Sequence, residues 1–95
     1  MPDKYLVKWL KLALDDIQSI AEYISKDDPE IAQSVVMAIW DATENLSYFP
    51  GRAKAGRVPE TKELILTSLP YFIAFRVRNK TVEILRVIHT SRNWP

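Results

Sequence analysis

Arg86, His89 and Arg92 stand three apart in RVIHTSRNWP (86–95), and His89 is the sole histidine of the chain. An imidazole titrates near neutral pH, and guanidinium groups hold phosphates through paired hydrogen bonds. The spacing therefore raises general acid–base chemistry on a phosphoester. A second basic group, Arg52, Lys54 and Arg57, falls in FPGRAKAGRVPET (49–61), which holds both glycines and two of the six prolines and reads as a basic loop. Other chemistries have little to stand on. There is no glycine-rich phosphate loop, no metal-ligand cluster and no Ser/His/Asp set, so no metal or cofactor is expected. With no cysteine, disulfides and thiolate zinc sites are excluded, which fits a reducing cytoplasm.

Ninety-five residues, 47% of them apolar, make one small domain with one modest core, spanning 1–95. No apolar run approaches the roughly 20 residues that span a bilayer. The opening MPDKYLVKWLK lacks the uninterrupted apolar stretch of a secretion signal. A cytoplasmic protein without membrane partners is expected. The net charge of +1 conceals a division: residues 1–49 carry four lysines against nine acids, and residues 50–95 carry nine cations against three acids. Such a split points to a basic face directed at an acidic partner; its bland alternative is solvated charge that happens to segregate.

The elements that must position these groups follow from periodicity. KYLVKW (4–9) reads as a short strand. Leu10, Ala13, Leu14, Ile17, Ile20, Ala21 and Ile24 form one stripe of a helix over 10–25. KDDPE (26–30) is a helix start, with Asp27 or Asp28 as cap and Pro29 in the first turn. The second helix runs to about Tyr48, with Ile31, Val35, Ile39, Ala42, Leu46 and Phe49 facing inward. The short connection makes an antiparallel hairpin. Val36, Met37 and Trp40 lie away from that stripe. They form either a partner-binding strip or a surface covered by another part of the chain. Three strands follow, over 62–69, 71–78 and 81–89, with Asn79–Lys80 as a tight turn. The fold class is α+β: an N-terminal strand, an antiparallel two-helix hairpin, then a three-stranded antiparallel meander, with the helices on one sheet face.

Side chains alternate along a strand. The apolar set Tyr71, Ile73, Phe75 and Val77 should pack on the helices, leaving Phe72, Ala74, Arg76 and Arg78 on the open face. In the last strand, Glu83, Leu85, Val87 and His89 are expected on the helix side. Val82, Ile84, Arg86 and Ile88 are expected on the open face. Arg76 and Arg86 would then join the basic loop, while His89 reads as a structural, hydrogen-bonded residue.

Several stretches carry a resemblance. P-G-R (50–52), RVPETKEL (57–64), PYFIAFRV (70–77) and VEILRVIHTSRNW (82–94) occur in an order and spacing that resembles the RelE/ParE toxins of bacterial type II toxin–antitoxin modules. ALDDIQSIAEYI (13–24) resembles that family's helical hairpin, and nearly the whole chain is covered. The resemblance implies the same small fold, a cytoplasmic growth-inhibiting toxin, a role such as plasmid maintenance, and a hetero-oligomer with a neutralising antitoxin. Val36, Met37 and Trp40 are candidate antitoxin contacts.

That family divides by mechanism. RelE-like members cut mRNA on the ribosome, which needs cations around the scissile phosphate and groups that move protons. Those members carry charged residues at positions matched here by Phe72 and Thr90, neither of which supplies charge or proton transfer at neutral pH. ParE-like members inhibit DNA gyrase and tend to have a long hairpin. The leading expectation is therefore a gyrase-poisoning toxin contacting its target through Arg52, Lys54, Arg57, Arg76, Arg86 and Arg92. The alternative is a metal-independent ribosome-dependent mRNA endonuclease, with Lys54, Arg57, Arg76 and Arg86 on the phosphate and His89 or Arg92 as proton donor. A third reading is a family member without toxic activity.

Overall fold

A computed structural model describes residues 4–95. Met1, Pro2 and Asp3, which the single-domain reading and the charge division include, lie outside the described residues. The elements are β1 (Leu6–Trp9), α1 (Lys11–Ser25), α2 (Pro29–Leu46), a 3-10 turn (Pro50–Arg52), β2 (Lys54–Ala55), β3 (Lys62–Ile65), β4 (Tyr71–Arg78) and β5 (Thr81–His89). They form one five-stranded sheet ordered β1-β5-β4-β3-β2. β1 runs parallel to β5, and the other pairings are antiparallel. Parallel neighbours need a crossover, and the hairpin of α1 and α2 begins the excursion that brings the chain back beside β1.

Local chemistry accounts for the element ends. Asp28 caps α2 by accepting hydrogen bonds from the backbone N–H groups of Glu30 and Ile31, with Pro29 in the first turn. Asn79 and Lys80 adopt φ values of 51° and 55°, the left-handed pair that a two-residue hairpin requires. Gly56 is required by space: a Cβ there would lie 2.3 Å from Thr61 Oγ1.

The main core joins the helix-facing side of β4 (Tyr71, Ile73, Phe75) and β5 (Val82, Ile84, Val87) to Ala13 and Ile17 of α1 and Val35, Ile39 and Leu46 of α2. The expected helix stripes need correction at their flanks. Leu14 is 45% exposed, Ile31 54% and Phe49 54%. The buried row of α2 is Ala32, Val35, Ile39, Thr43 and Leu46, so Ile31 sits beside it, and Phe49 lies past the helix end. The strand expected over 62–69 stops at Ile65, and the basic loop contributes β2, which pairs with Lys62 and Glu63.

The larger correction concerns β5. Its register passes from Ala74↔Arg86 to Phe75↔Ile84, leaving Leu85 as an extra residue. A bulge of one residue reverses the parity of alternation. Val82 and Ile84 therefore join Val87 in the helix-side core, where the strict alternation had placed Glu83 and Leu85. Glu83 instead pairs across from Arg76, and Leu85 packs on the other face. That other face is not open throughout. Phe72, Ala74, Ile88 and Trp94 are buried there, with Val58 and Leu85 packed against them. The basic loop and the C-terminal tail thus cover part of the outer sheet surface.

Candidate functional site

The six basic candidates divide into two groups. Arg57 is held by Glu63: its backbone N–H and Nε donate to Oε2 at 3.0 and 3.1 Å, and an Nη donates to Oε1 at 3.2 Å. Its guanidinium also lies 5.1 Å from the centroid of Phe72. The Glu63 side chain is only 2% exposed, so Arg57 neutralises a buried carboxylate beneath the loop. The loop closes over it through Gly56 N–H to Thr61 O and Thr61 Oγ1–H to Val58 O.

Arg76 donates to Glu83 across the β4–β5 pair, and Arg78 forms an ion pair with the same carboxylate at 3.3 Å. The hydrogen bond from Arg76 is the main reason that the Glu83 carboxyl titrates below its usual range. Arg86 stands opposite Ala74 on that same outer face, but its guanidinium is tied to α1. β1 stops at Trp9, opposite Ile84, so the edge of β5 beyond that point has no strand beside it. Asp16 of α1 takes the place of one. It accepts from the Val87 backbone N–H at 2.9 Å and from the Arg86 guanidinium at 2.7 and 3.0 Å. The same carboxylate holds the Arg86 guanidinium in its charged form more firmly than usual.

Arg52, Lys54 and Arg92 form the second group. All three are exposed, and among the described residues their side chains make no ion pair or hydrogen bond. His89 lies on the helix side, half-buried, with its ring edge-on to Tyr71 at 5.4 Å. Its Nδ1 accepts from the Ser91 backbone N–H at 3.1 Å and lies 2.8 Å from Ser91 Oγ. Burial, with a smaller contribution from Tyr23, raises the Tyr71 phenol above its ordinary titration range. Phe72 is buried beneath Arg57, while Thr90 is exposed and its N–H donates to Pro70 O. The structure does not bring Lys54, Arg57, Arg76, Arg86, His89 and Arg92 together around one point: Arg86 is turned to α1, and His89 stands beside Tyr71.

Val36, Met37 and Trp40 have separate surroundings. Val36 packs on the core, Trp40 lies against Trp9 with ring centroids 4.3 Å apart, and Met37 is 55% exposed. Val36 and Met37 border a shallow groove between the helices, with Ala21 and Ala32 in its lining. A second groove, of about 260 Å³, lies between the end of α2 and β3. Its lining includes Leu46, Phe49, Arg52, Leu64 and Leu66. Periodicity missed this groove because it assigned Phe49 to the core and continued β3 to Leu69; the break of helix at Ser47–Phe49 and the apolar ELILTSL segment were the available signals. Among the described residues no group of three or more His, Cys, Asp or Glu could hold a metal ion, and no helix is long and apolar enough to cross a membrane.

A family model described as the ParE toxin of the type II toxin–antitoxin system parDE matches residues 7–94. The chain is 39% identical over 89 residues to Y4kP of Sinorhizobium fredii, whose name marks it as a candidate toxin, covering 94% of this chain and 92% of that one. It is 30% identical over 86 residues to toxin RelE2 of Caulobacter vibrioides, covering 90% and 96% of the respective chains. Among solved structures it is similar to a chain of the chromosomal ParDE system from P. aeruginosa, with a TM-score of 0.83, 27% identity and coverage of 92% and 97%. A chain of the RelBE2 toxin–antitoxin complex from Mycobacterium tuberculosis gives a TM-score of 0.63, 27% identity and coverage of 90% and 91%.

Proposed function

This chain belongs to the ParE toxin family of type II toxin–antitoxin systems, and from that premise we propose that it arrests growth in the cytoplasm by binding and poisoning DNA gyrase, and is neutralised by a cognate antitoxin. The observation that carries this reading is the employment of its arginines. Arg57, Arg76 and Arg86 are each joined to a carboxylate of the chain itself, Glu63, Glu83 and Asp16. A nuclease that stabilises a developing phosphorane needs cations directed at one point and a proton donor beside them. Here the arginines serve three different carboxylates. The sole imidazole uses Nδ1 as an acceptor from Ser91. A toxin acting by binding needs no such convergence. It needs exposed contacts, and Arg52, Lys54 and Arg92 offer them. The greater similarity in shape to the ParDE chain than to the RelBE2 chain supports the same branch.

The test runs two reactions in parallel with the purified protein. Gyrase supercoiling of plasmid should be inhibited, leaving linear or unresolved plasmid, while mRNA on translating ribosomes should stay intact. Cuts in mRNA at codon-defined positions, with gyrase unaffected, would establish the ribosome-dependent endonuclease instead. Growth unaffected by induction without antitoxin would remove both mechanisms.

A further inference from the structure

Beyond the cluster that Trp94 closes, the outer sheet face carries two rows of side chains across β1, β5 and β4. The register sets Lys8, Glu83 and Arg76 side by side in one row, and Leu6, Thr81 and Arg78 in the next. Residues opposite one another share a face. The row between them, Val7, Val82 and Val77, belongs to the helix-side core, so both of its neighbours point outward.

Three cations thus gather around one carboxylate. Arg76 holds Glu83 with a hydrogen bond, and Arg78 approaches it at 3.3 Å. Lys8, brought in by β1 from the far end of the chain, adds to the positive field on the same group. Glu83 cancels one of the three charges and is sunk in the face, its side chain 13% exposed. Arg76 is bound most closely to it. Lys8 and Arg78 remain as surplus charge at the surface, with the Arg78 side chain 61% exposed.

Such a surplus attracts an anion, and the surroundings select which kind. A protein partner needs an apolar or aromatic anchor near the centre of its contact. The centre here is Glu83 with its cations, and the apolar member of these rows, Leu6, stands at the rim. A single-stranded nucleic acid stacks its bases on aromatic rings. These rows contain no ring, and Phe72 and Trp94 in the outer cluster are buried. The anion that suits the patch is the backbone of a duplex, whose regular phosphates are gripped without any base being read. Arg78 offers such a backbone a planar fork and Lys8 a point charge.

We propose that Lys8 and Arg78 form a contact site for the phosphate backbone of double-stranded DNA, with Arg76 neutralising Glu83 beneath them. The choice of DNA rests on the gyrase reading above. A toxin that grips DNA as well as the enzyme acting on it holds their complex more tightly than either alone.

The experiment titrates purified toxin onto a short fluorescently labelled DNA duplex at several salt concentrations. Affinity should fall as salt rises. Lys8→Gln and Arg78→Gln should each flatten the logarithmic salt slope by about one and weaken binding about threefold or more. Glu83→Gln removes the competing carboxylate and should tighten binding by about threefold, although it lowers stability. A purely structural Glu83 would give no such gain. Lys26→Gln removes the same net charge at the end of α1 and should leave the slope unchanged. Thermal unfolding identifies a variant that fails to fold, in which case the others decide. No affinity of the wild-type chain for the duplex, tighter binding of single-stranded RNA, or an equal effect of Lys26→Gln would overturn the site. Gyrase inhibition measured alongside separates the two readings. Inhibition without duplex binding removes the site and leaves the gyrase reading, whereas duplex binding without inhibition supports the site and removes that reading.

Discussion

Two carboxylates on the outer sheet face decide what the nearby arginines can do. Glu63 is buried and meets Arg57, whose own side chain is 46% exposed. The two halves of that pair should therefore respond differently to removal. Losing Glu63 leaves a guanidinium that can return to water, whereas losing Arg57 strands a charge under the loop. Arg57→Ala should cost about 2–3 kcal/mol and Glu63→Gln measurably less, as read from urea midpoints; equal costs would contradict the asymmetry. Glu83 supports a pH prediction. Its carboxyl is held below the ordinary value of 4.5, chiefly by Arg76, so its folded state binds a proton more weakly than its unfolded state. The stability it contributes is present above about 4.5 and is lost as pH falls through the lower folded value. Glu83→Gln should lower the melting temperature at neutral pH, with the difference from wild type shrinking as acid is added. A difference that stayed constant from neutral pH into acid would sink this. His89 shows how far residue type alone reaches. Its place on the helix side was legible from parity, but its acceptor bond from Ser91 depends on how the tail turns after Thr90, and no pattern in the sequence encodes that turn.

At the scale of elements, a single inserted residue organises β5. Without the bulge at Leu85, placing Val82 and Ile84 in the core would turn Val87 and His89 outward, because parity is fixed along a regular strand. The bulge lets both ends of β5 face the helices. It lies close to where β1 ends and Asp16 takes over the strand edge. Asp16→Ala should leave both the Val87 N–H and the Arg86 guanidinium without their partner and cost about 2–3 kcal/mol. Asp16→Asn keeps an acceptor for the amide and should cost about half of that. Chemical denaturation of the two variants tests the order, and equal costs would mean that the amide contact contributes nothing. Helices, caps and the Asn79–Lys80 turn were legible because local chemistry determines them. The bulge, the two-residue β2 and the early end of β3 were not. Each results from competition among neighbours distant in sequence: VEILRVIH reads as unbroken alternation, and only pairing with β4 and α1 selects where it slips. The same competition spent Arg57, Arg76 and Arg86 on internal carboxylates, although in sequence they resemble Arg52 and Arg92. A double Arg76→Ala, Arg86→Ala variant would therefore disturb folding contacts before it reported on any target.

On the scale of the whole molecule, the sheet has apolar packing on both faces. The helix side carries the main core, and the outer side carries a smaller cluster that Trp94 closes against Phe72, Ala74 and Ile88. The tail and the basic loop meet at this cluster, since Val58 packs on it and Arg57 lies over Phe72. Two distant stretches that carry free cations, Arg92 in the tail and Lys54 in the loop, thus share one anchor. Trp94 is 8% exposed. Its replacement by alanine should cost about 3 kcal/mol, toward the low end for a buried tryptophan, because the site is peripheral and can partly collapse. The loss should not be uniform. β4 and β5 keep their helix-side packing, so amides there should open only with global unfolding, at the reduced stability of the variant. Loop amides such as Gly56 and Thr61, which hydrogen-bond across the loop rather than in the main ladder, should gain a local opening route. Native-state hydrogen exchange of Trp94→Ala should therefore show the loop accelerated beyond what the change in global stability explains. Parallel acceleration of loop and core amides by one common factor would mean that the outer cluster is part of the main cooperative unit, and that the tail does not separately hold the basic loop in place.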